Sequence, residues 1–339
     1  MTRPLRIGYL PLTDAALLHV ASVNGFDREE GLTFTLHRET SWANLRDKLA
    51  YGFYDAAHML APAVLASALG LEGFRAPMIG AAALGLDGNA VSVSPALAEA
   101  IAGDPPSSAR KLAALWTAGA KPLRFAHVFP WSMHHYQLLL WLRLGGVARD
   151  AVSLTVTPPS LAPASIEAGV IDGFCAGAPW NTFSQQRGAS RILFPCAALM
   201  RNCPEKVLAF PRGAAEADPD VPKAAARALR RAALWGEQNR ADLPRIVAQA
   251  LTPDLPESAV RPALDADWLR LDAAATGLSA LQADFLLALL AFAGQATFDA
   301  ASQTVAREAF WSSEQAPPAP HLLGQTYAGG PLETFPPSA

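Results

Sequence analysis

The stretch that decides the fold runs from Ser41 to Ala66, SWANLRDKLAYGFYDAAHMLAPAVLA. Ser41 suits a helix N-cap, Leu45 and Leu49 fall on one face at i and i+4, and Gly52 supplies the stop. Asp55 to Leu60 is then an apolar run, too short for a helix and bounded by turn residues, which reads as a buried strand. Trp42 falls in the first turn of the predicted helix. The free backbone N–H groups there favour an anion, and the indole N–H would add a donor. A core tryptophan covering the sheet is the competing reading of the same residue.

Outward from this stretch, strands and helices alternate. Leu5 to Leu10 reads as a strand, Thr13 as the cap of a helix ending at Asn24, and Leu32 to Leu36 as a second strand. Pro77 to Leu86, the turn Asp87-Gly88 and a strand over Asn89 to Ser94 follow. The pattern restarts at the strand Leu123 to Val128, and Ser132 caps a helix that Gly145-Gly146 terminates. Ile171 to Ala176 and Val207 to Phe210 read as strands, and Pro222 to Arg240 and Ala280 to Gly294 as helical segments. This alternation predicts an α/β protein with a mostly parallel sheet. Beyond Ser312 the chain is rich in Pro and Gly and reads as an irregular strap or a disordered end.

The chain has 339 residues, half of them apolar and 17% charged, enough for two lobes or one large α/β unit. A net charge of −3, a pI near 6.2 and the lack of a Lys/Arg run interleaved with aromatics argue against direct nucleic-acid binding. No apolar run reaches the roughly 18 to 20 residues of a membrane span, so no membrane role is expected. Ile7 to Leu12, broken by Gly8 and Pro11, does not make a secretory segment. Three cysteines fit a reducing compartment, and the expected localisation is cytoplasmic. The histidines and cysteines lack zinc spacing, and no G-x-S-x-G, Walker or G-x-G-x-x-G string follows a strand. Neither a metal, a cofactor nor an enzymatic activity is expected.

Seven strings in order carry a resemblance: GYLPLTDAA (8–16), SWANLRDKL (41–49), DAAHMLAP (55–62), DGNAVSVS (87–94), FPWSMHHYQLLLWL (129–142), DGFCAGAPWN (172–181) and PEKVLA (204–209). Together they resemble the nitrate-binding solute receptors of ABC transporters, NrtA-type, and their bicarbonate-binding CmpA-type relatives. The resemblance implies a two-lobed type II periplasmic-binding-protein-like fold with a ligand cleft between the lobes. The expected division is 1–92 for the first part of lobe one, 93–203 for lobe two, 204–311 for the return to lobe one and 312–339 for the tail.

It also implies anion contacts from Trp42 and Asn89, expected in the first lobe, from His134 in the second, and from Lys206 at the return crossing. Relatives place Gln at the Asn89 position. Nitrate has acceptor oxygens and no proton to give, so N–H donors and one compensating cation suit it. Helix N-termini after Thr13, Ser41 and Ser132 would add partial positive charge. The lysine favours nitrate or nitrite over bicarbonate, whose receptors carry an acid at that position and use a metal.

Around these contacts, Thr13, His58, Trp131, Cys175 and Trp180 are candidate second-layer residues. His58 on an apolar strand reads as a core or supporting histidine, and Cys175 as a small buried hydrophobe. His135 points about 100° away from His134, so one of the two faces a given site. Trp131 and Trp180 either line the cleft or pack at the hinge.

The receptors usually carry glutamate where this chain has Ala178, and they begin with an export segment. Both departures point to the similar cytoplasmic nitrate/nitrite sensors, NasS-type, whose partner is an antitermination regulator of the ANTAR class, NasT-like, released when nitrate or nitrite binds. The substrate-binding component of a nitrate ABC transporter is the alternative. A synthase on the same fold is disfavoured because its cysteine-rich motif is absent.

Overall fold

The computed structural model describes residues 2–332 apart from 72, 75, 120, 149, 252–254, 266–267 and 314–315. It holds two five-stranded sheets with helices packed against them. The first sheet contains β1 (Arg3–Tyr9), β2 (Leu32–Arg38), β3 (Ala56–Leu60) and β4 (Met78–Ala83). The second contains β5 (Asn89–Val93), β6 (Leu123–His127), β7 (Val152–Val156), β8 (Gly173–Gly177) and β9 (Arg191–Pro195). β10 (Lys206–Pro211) returns to the first sheet. The strand orders are β2-β1-β3-β10-β4 and β9-β5-β8-β6-β7.

The sheets are mixed, not mostly parallel as the alternation suggested. β1 runs parallel to β2 and β3, and β6 parallel to β7 and β8, each through a helical crossover. β5 and β10 run antiparallel to both of their neighbours. Both are the strands on which the chain arrives from the other sheet, so no local crossover constrains their direction.

That arrival also corrects the expected position of Asn89. It pairs with Gly177 as the first residue of β5 in the second sheet, so the first crossing lies at 87–88 and not after residue 92. Asp87 and Gly88 make the turn at φ 64° and 98°, where glycine is the residue at ease. The second crossing lies alongside: the Asp87 carboxylate accepts from the backbone N–H groups of Asn202 and Cys203, both at 3.0 Å.

The helix over Trp42–Ala50 and that over Met133–Leu144 are capped by Ser41 and Ser132, which accept from the N–H groups of Asn44 and His135 at 3.2 Å. Thr13 does not cap. It opens a 3-10 turn, Thr13–Ala15, ahead of the helix Ala16–Asn24, with no side-chain cap bond. The tail past residue 312 is a strap as far as it is described. His321–Leu322 and Gln325–Thr326 pair with each other, and Met200–Arg201 pairs with the former. Residues 333–339 of the predicted tail lie outside the described residues.

Several bonds draw the two sheets together. Thr13 N–H donates to Ala178 O at 2.8 Å, the Trp180 indole to Pro11 O at 3.1 Å and the Tyr136 hydroxyl to Gln295 Oε1 at 2.7 Å. The helix over Glu257–Asp265 packs on Trp180–Gln186, with Thr182 Oγ1 donating to Ala259 O. Arg46 lies over the rings of Phe74 and Phe129, and Trp131 packs on both aromatics.

Candidate functional site

The site is built on Lys206, the first residue of β10, whose ammonium is fully buried where the two sheets meet. Nζ stands 2.8 Å from Asp14 Oδ2, donates to Asn89 Oδ1 at 3.2 Å and lies 3.8 Å from Glu205 Oε2. Asp14 comes from the 3-10 turn Thr13–Ala15 that follows β1 and meets His58 of β3. His58 of β3 places Nε2 at 2.9 Å from Asp14 Oδ1, while its Nδ1 accepts from Leu10 N–H at 3.4 Å. Trp42 packs its ring 5.4 Å from that of His58.

The second sheet supplies the other wall. Asn89 Nδ2 donates to Glu205 Oε2 at 2.5 Å and to Gln137 Oε1 at 2.9 Å, and Gln137 Nε2 donates to Glu205 Oε1 at 2.9 Å. The Cys175 thiol donates to Gln137 Oε1 at 3.6 Å and lies 3.7 Å from Cys196 Sγ. Gly177, opposite Asn89, lets the backbone pack close to Lys206: a Cβ there would come 3.2 Å from Nζ, 3.4 Å from Leu12 Cδ2 and 3.5 Å from Asn89 Oδ1.

Within this shell the Trp42 indole N–H, the Thr13 hydroxyl and both ring nitrogens of His134 are buried with no hydrogen-bond partner. Buried polar groups are normally paired, so such a set marks a place built for a polar ligand. Burial first, and then Lys206, hold the His134 imidazole well below its ordinary range, so it is neutral with one N–H to give. Burial alone would raise the Asp14 carboxyl, but Lys206 and His58 outweigh it and hold it well below the carboxylate range. Burial would lower Lys206, yet Asp14 and Glu205 keep it raised. Burial pushes Glu205 up to about 8, against Lys206 and with Asp87, so at neutral pH it is mostly protonated.

All four sequence-read contacts, Trp42, Asn89, His134 and Lys206, therefore fall in one buried group, although Asn89 offers its amide to Glu205 and Gln137. Of the second layer, Thr13, His58 and Cys175 lie in it too. Trp180 spends its N–H on Pro11 O and joins the sheets instead. Trp131 belongs to the aromatic clasp with Phe74 and Phe129, its own indole nitrogen unpartnered. Lys206, read from the sequence as the compensating cation, is itself paired with Asp14.

Sequence reasoning missed Asp14, Glu205, Gln137 and Gly177. Each was in view, beside Thr13, beside Lys206, one helical turn after His134 and within GFCAGAPWN. A groove of about 750 Å³ between the helix Asp220–Gln238 and residues 307–313 lies elsewhere, and its Arg227 and Arg307 are engaged by Glu30 and Asp284.

Two mixed sheets joined by paired crossings, with a buried polar group between them, define the two-lobed periplasmic-binding-protein-like class. Solved structures agree. The periplasmic nitrate-binding protein NrtA from Synechocystis superposes with a TM-score of 0.83 at 20% identity, covering 91% of this chain and 86% of that one. The alkanesulfonate-binding protein SsuA from Xanthomonas axonopodis pv. citri, bound to MOPS, gives 0.69 at 20% identity over 91% and 98%.

Residues 1–252 match the NMT1-like family, and the chain belongs to it. The nitrate/nitrite binding protein NrtA of Nostoc is 29% identical over 242 residues, 69% of this chain and 54% of that protein. The bicarbonate transport ATP-binding protein CmpC of Synechocystis is 33% identical over 239 residues, 66% of this chain and 34% of that protein. The chain thus spans between a third and just over half of these relatives' lengths. Among the described residues no helix is long and apolar enough to cross a membrane.

Proposed function

We propose that the chain binds nitrate or nitrite between its lobes and acts as a cytoplasmic sensor that holds an antitermination regulator until the anion arrives. The observation that carries the binding half is the set of unpartnered polar groups on Thr13, next to Asp14, on Trp42, packed against His58, and on His134, which feels the Lys206 charge. An acceptor-only monoanion satisfies such a set, and each charge-assisted bond contributes roughly 1.5 to 3 kcal/mol net. The relatives named for nitrate and nitrite support the same ligand.

Bicarbonate is the competing anion, given the relatives named for its transport. It would need an acceptor for its own proton. A metal-assisted site is disfavoured because Lys206 occupies the approach to Asp14 at 2.8 Å. Among the described residues no three His, Cys, Asp or Glu side chains are placed to hold a metal ion.

The sensor half rests on Ala178, which stands where the receptor pattern carries glutamate. A receptor of a nitrate importer is the second reading, favoured by the fold shared with NrtA.

Calorimetric titration with nitrate, nitrite, bicarbonate and sulfate tests the ligand: nitrate or nitrite binding with sulfate excluded is expected, and binding of neither overturns the reading. Size-exclusion chromatography with an ANTAR-class regulator tests the role. A complex that dissociates with nitrate is expected. One that ignores nitrate, or none at all, leaves the receptor reading.

A further inference from the structure

Lys206 is neutralised before any anion arrives, since Asp14 holds it at 2.8 Å and both are buried. An anion added to this pair leaves one uncompensated buried charge. Glu205, whose Oε2 lies 3.8 Å from Nζ and which Asn89 and Gln137 tie to the same network, decides whether that charge is one or two. We propose that Glu205 is a positioning residue that must carry its proton for the anion to be held, so that in alkaline solution the site takes up one anion together with one proton. This deepens the nitrate-site reading and rests on it.

The balance is simple: a solvent or buffer proton bonds to a Glu205 carboxylate oxygen, and nothing is oxidised or reduced. The groups facing Glu205 are Asn89 from β5, Gln137 from the helix Met133–Leu144, Cys175 from β8, Lys206 from β10, and Asp87, Cys196 and Cys203 near the crossings. Of these only Lys206 and Asp87 carry full charge near neutrality, with Asp14 behind Lys206. Asp87 is pushed up to about 6 by burial, but its carboxylate is taken up by the N–H groups of Asn202 and Cys203. Burial already favours the protonated form of Glu205, and a neighbouring anion favours it further. A group whose bound form prefers the proton gives binding that is full at low pH and lost as pH rises.

The test is calorimetric titration of the full chain with sodium nitrate from pH 6 to 9, in two buffers of different ionisation enthalpy. Affinity at pH 9 should be up to about tenfold below that at pH 7, the loss approaching tenfold per pH unit only above pH 8. At pH 8 to 9 the heat should scale with buffer ionisation as proton uptake requires, and at pH 6 it should not. Glu205→Gln should flatten the profile to within about threefold and remove the buffer dependence.

A flat wild-type profile, or a slope that persists in Glu205→Gln, overturns the proposal. No nitrate binding at any pH overturns the ligand reading instead. Should Glu205→Gln not fold, infrared difference spectra decide: a carboxylic C=O band that nitrate induces at pH 9 is expected, and its absence overturns the proposal.

Discussion

Asp14→Asn separates the two charges at the heart of the site and is the most informative perturbation. In the anion-free protein it removes the partner that holds Lys206 at 2.8 Å, leaving a fully buried ammonium with Asn89 Oδ1 and the new amide as acceptors and the Glu205 carboxyl 3.8 Å away. Breaking a buried pair from one side costs about 3 to 5 kcal/mol. With an unfolding entropy of about 2.1 cal/mol/K per residue over 339 residues, that lowers the melting temperature by about 4 to 7 °C. Nitrate reverses the loss, because it supplies the missing negative charge beside Lys206. At a hundred times its Kd an anion adds about 2.7 kcal/mol, and its affinity for the variant should exceed that for wild type by about tenfold or more.

Differential scanning fluorimetry across a nitrate series, with calorimetry for affinity, reads both quantities. A variant as stable as wild type without nitrate, or one that binds nitrate more weakly, would refute the reasoning, since either result means Asp14 is not the counter-ion that an anion replaces.

Trp42→Phe keeps the apolar body and loses the unpartnered N–H. It should weaken nitrate binding by roughly 0.5 to 3 kcal/mol and, because Trp42 is buried in the core, also lower the melting temperature, whereas normal affinity with lowered stability would restore the core-tryptophan reading. Gly177→Ala places a methyl 3.2 Å from Lys206 Nζ, so calorimetry should show at least about tenfold weaker nitrate binding in a folded protein; unchanged affinity would move the anion away from that face. Glu205 rises from 4.5 to about 8 on burial, so its contribution to stability is complete below its ordinary value and is lost as pH passes 8. The wild-type melting temperature should fall between pH 7 and 9, and Glu205→Gln should remove most of that fall.

What the sequence made legible was local. Ser41 and Ser132 cap where their positions before apolar periodic runs put them, and Asp87-Gly88 turns where the dipeptide predicts. Trp42, His134 and Lys206 were picked out by their strings, and all three are buried, Trp42 against His58 and Lys206 against Asp14. What stayed hidden depended on pairs remote in the chain. Asp14 meets Lys206 across nearly two hundred residues, and no pattern near either records the contact. Thr13 illustrates the opposite failure: its residue type suits a cap, but the close bond from its N–H to Ala178 O draws the turn toward the other lobe and leaves the hydroxyl buried and unpartnered. β5 and β10 read correctly as strands while their direction did not, because direction there follows from which sheet the chain has just left.

The site's enclosure constrains how binding and motion are linked. Asp14, Trp42, His58 and Lys206 come from the elements of the first sheet, and Asn89, His134, Gln137 and Gly177 from those of the second, all buried or at the buried seam. An anion reaches Lys206 only if the lobes part, which means releasing the bonds of Thr13 to Ala178, Trp180 to Pro11 and Tyr136 to Gln295, with the Arg46–Phe129 contact. A ligand biases that equilibrium only by the difference in its affinity for the open and closed forms. Taking a population from 1:99 to 99:1 needs about 5.5 kcal/mol of such difference. Three or four charge-assisted bonds of roughly 1.5 to 3 kcal/mol each supply it only if some are made in the closed form alone. The Trp42 and Thr13 donors can follow the anion on the first lobe in either form, so the difference has to come from the second lobe, where His134 holds the unpartnered ring.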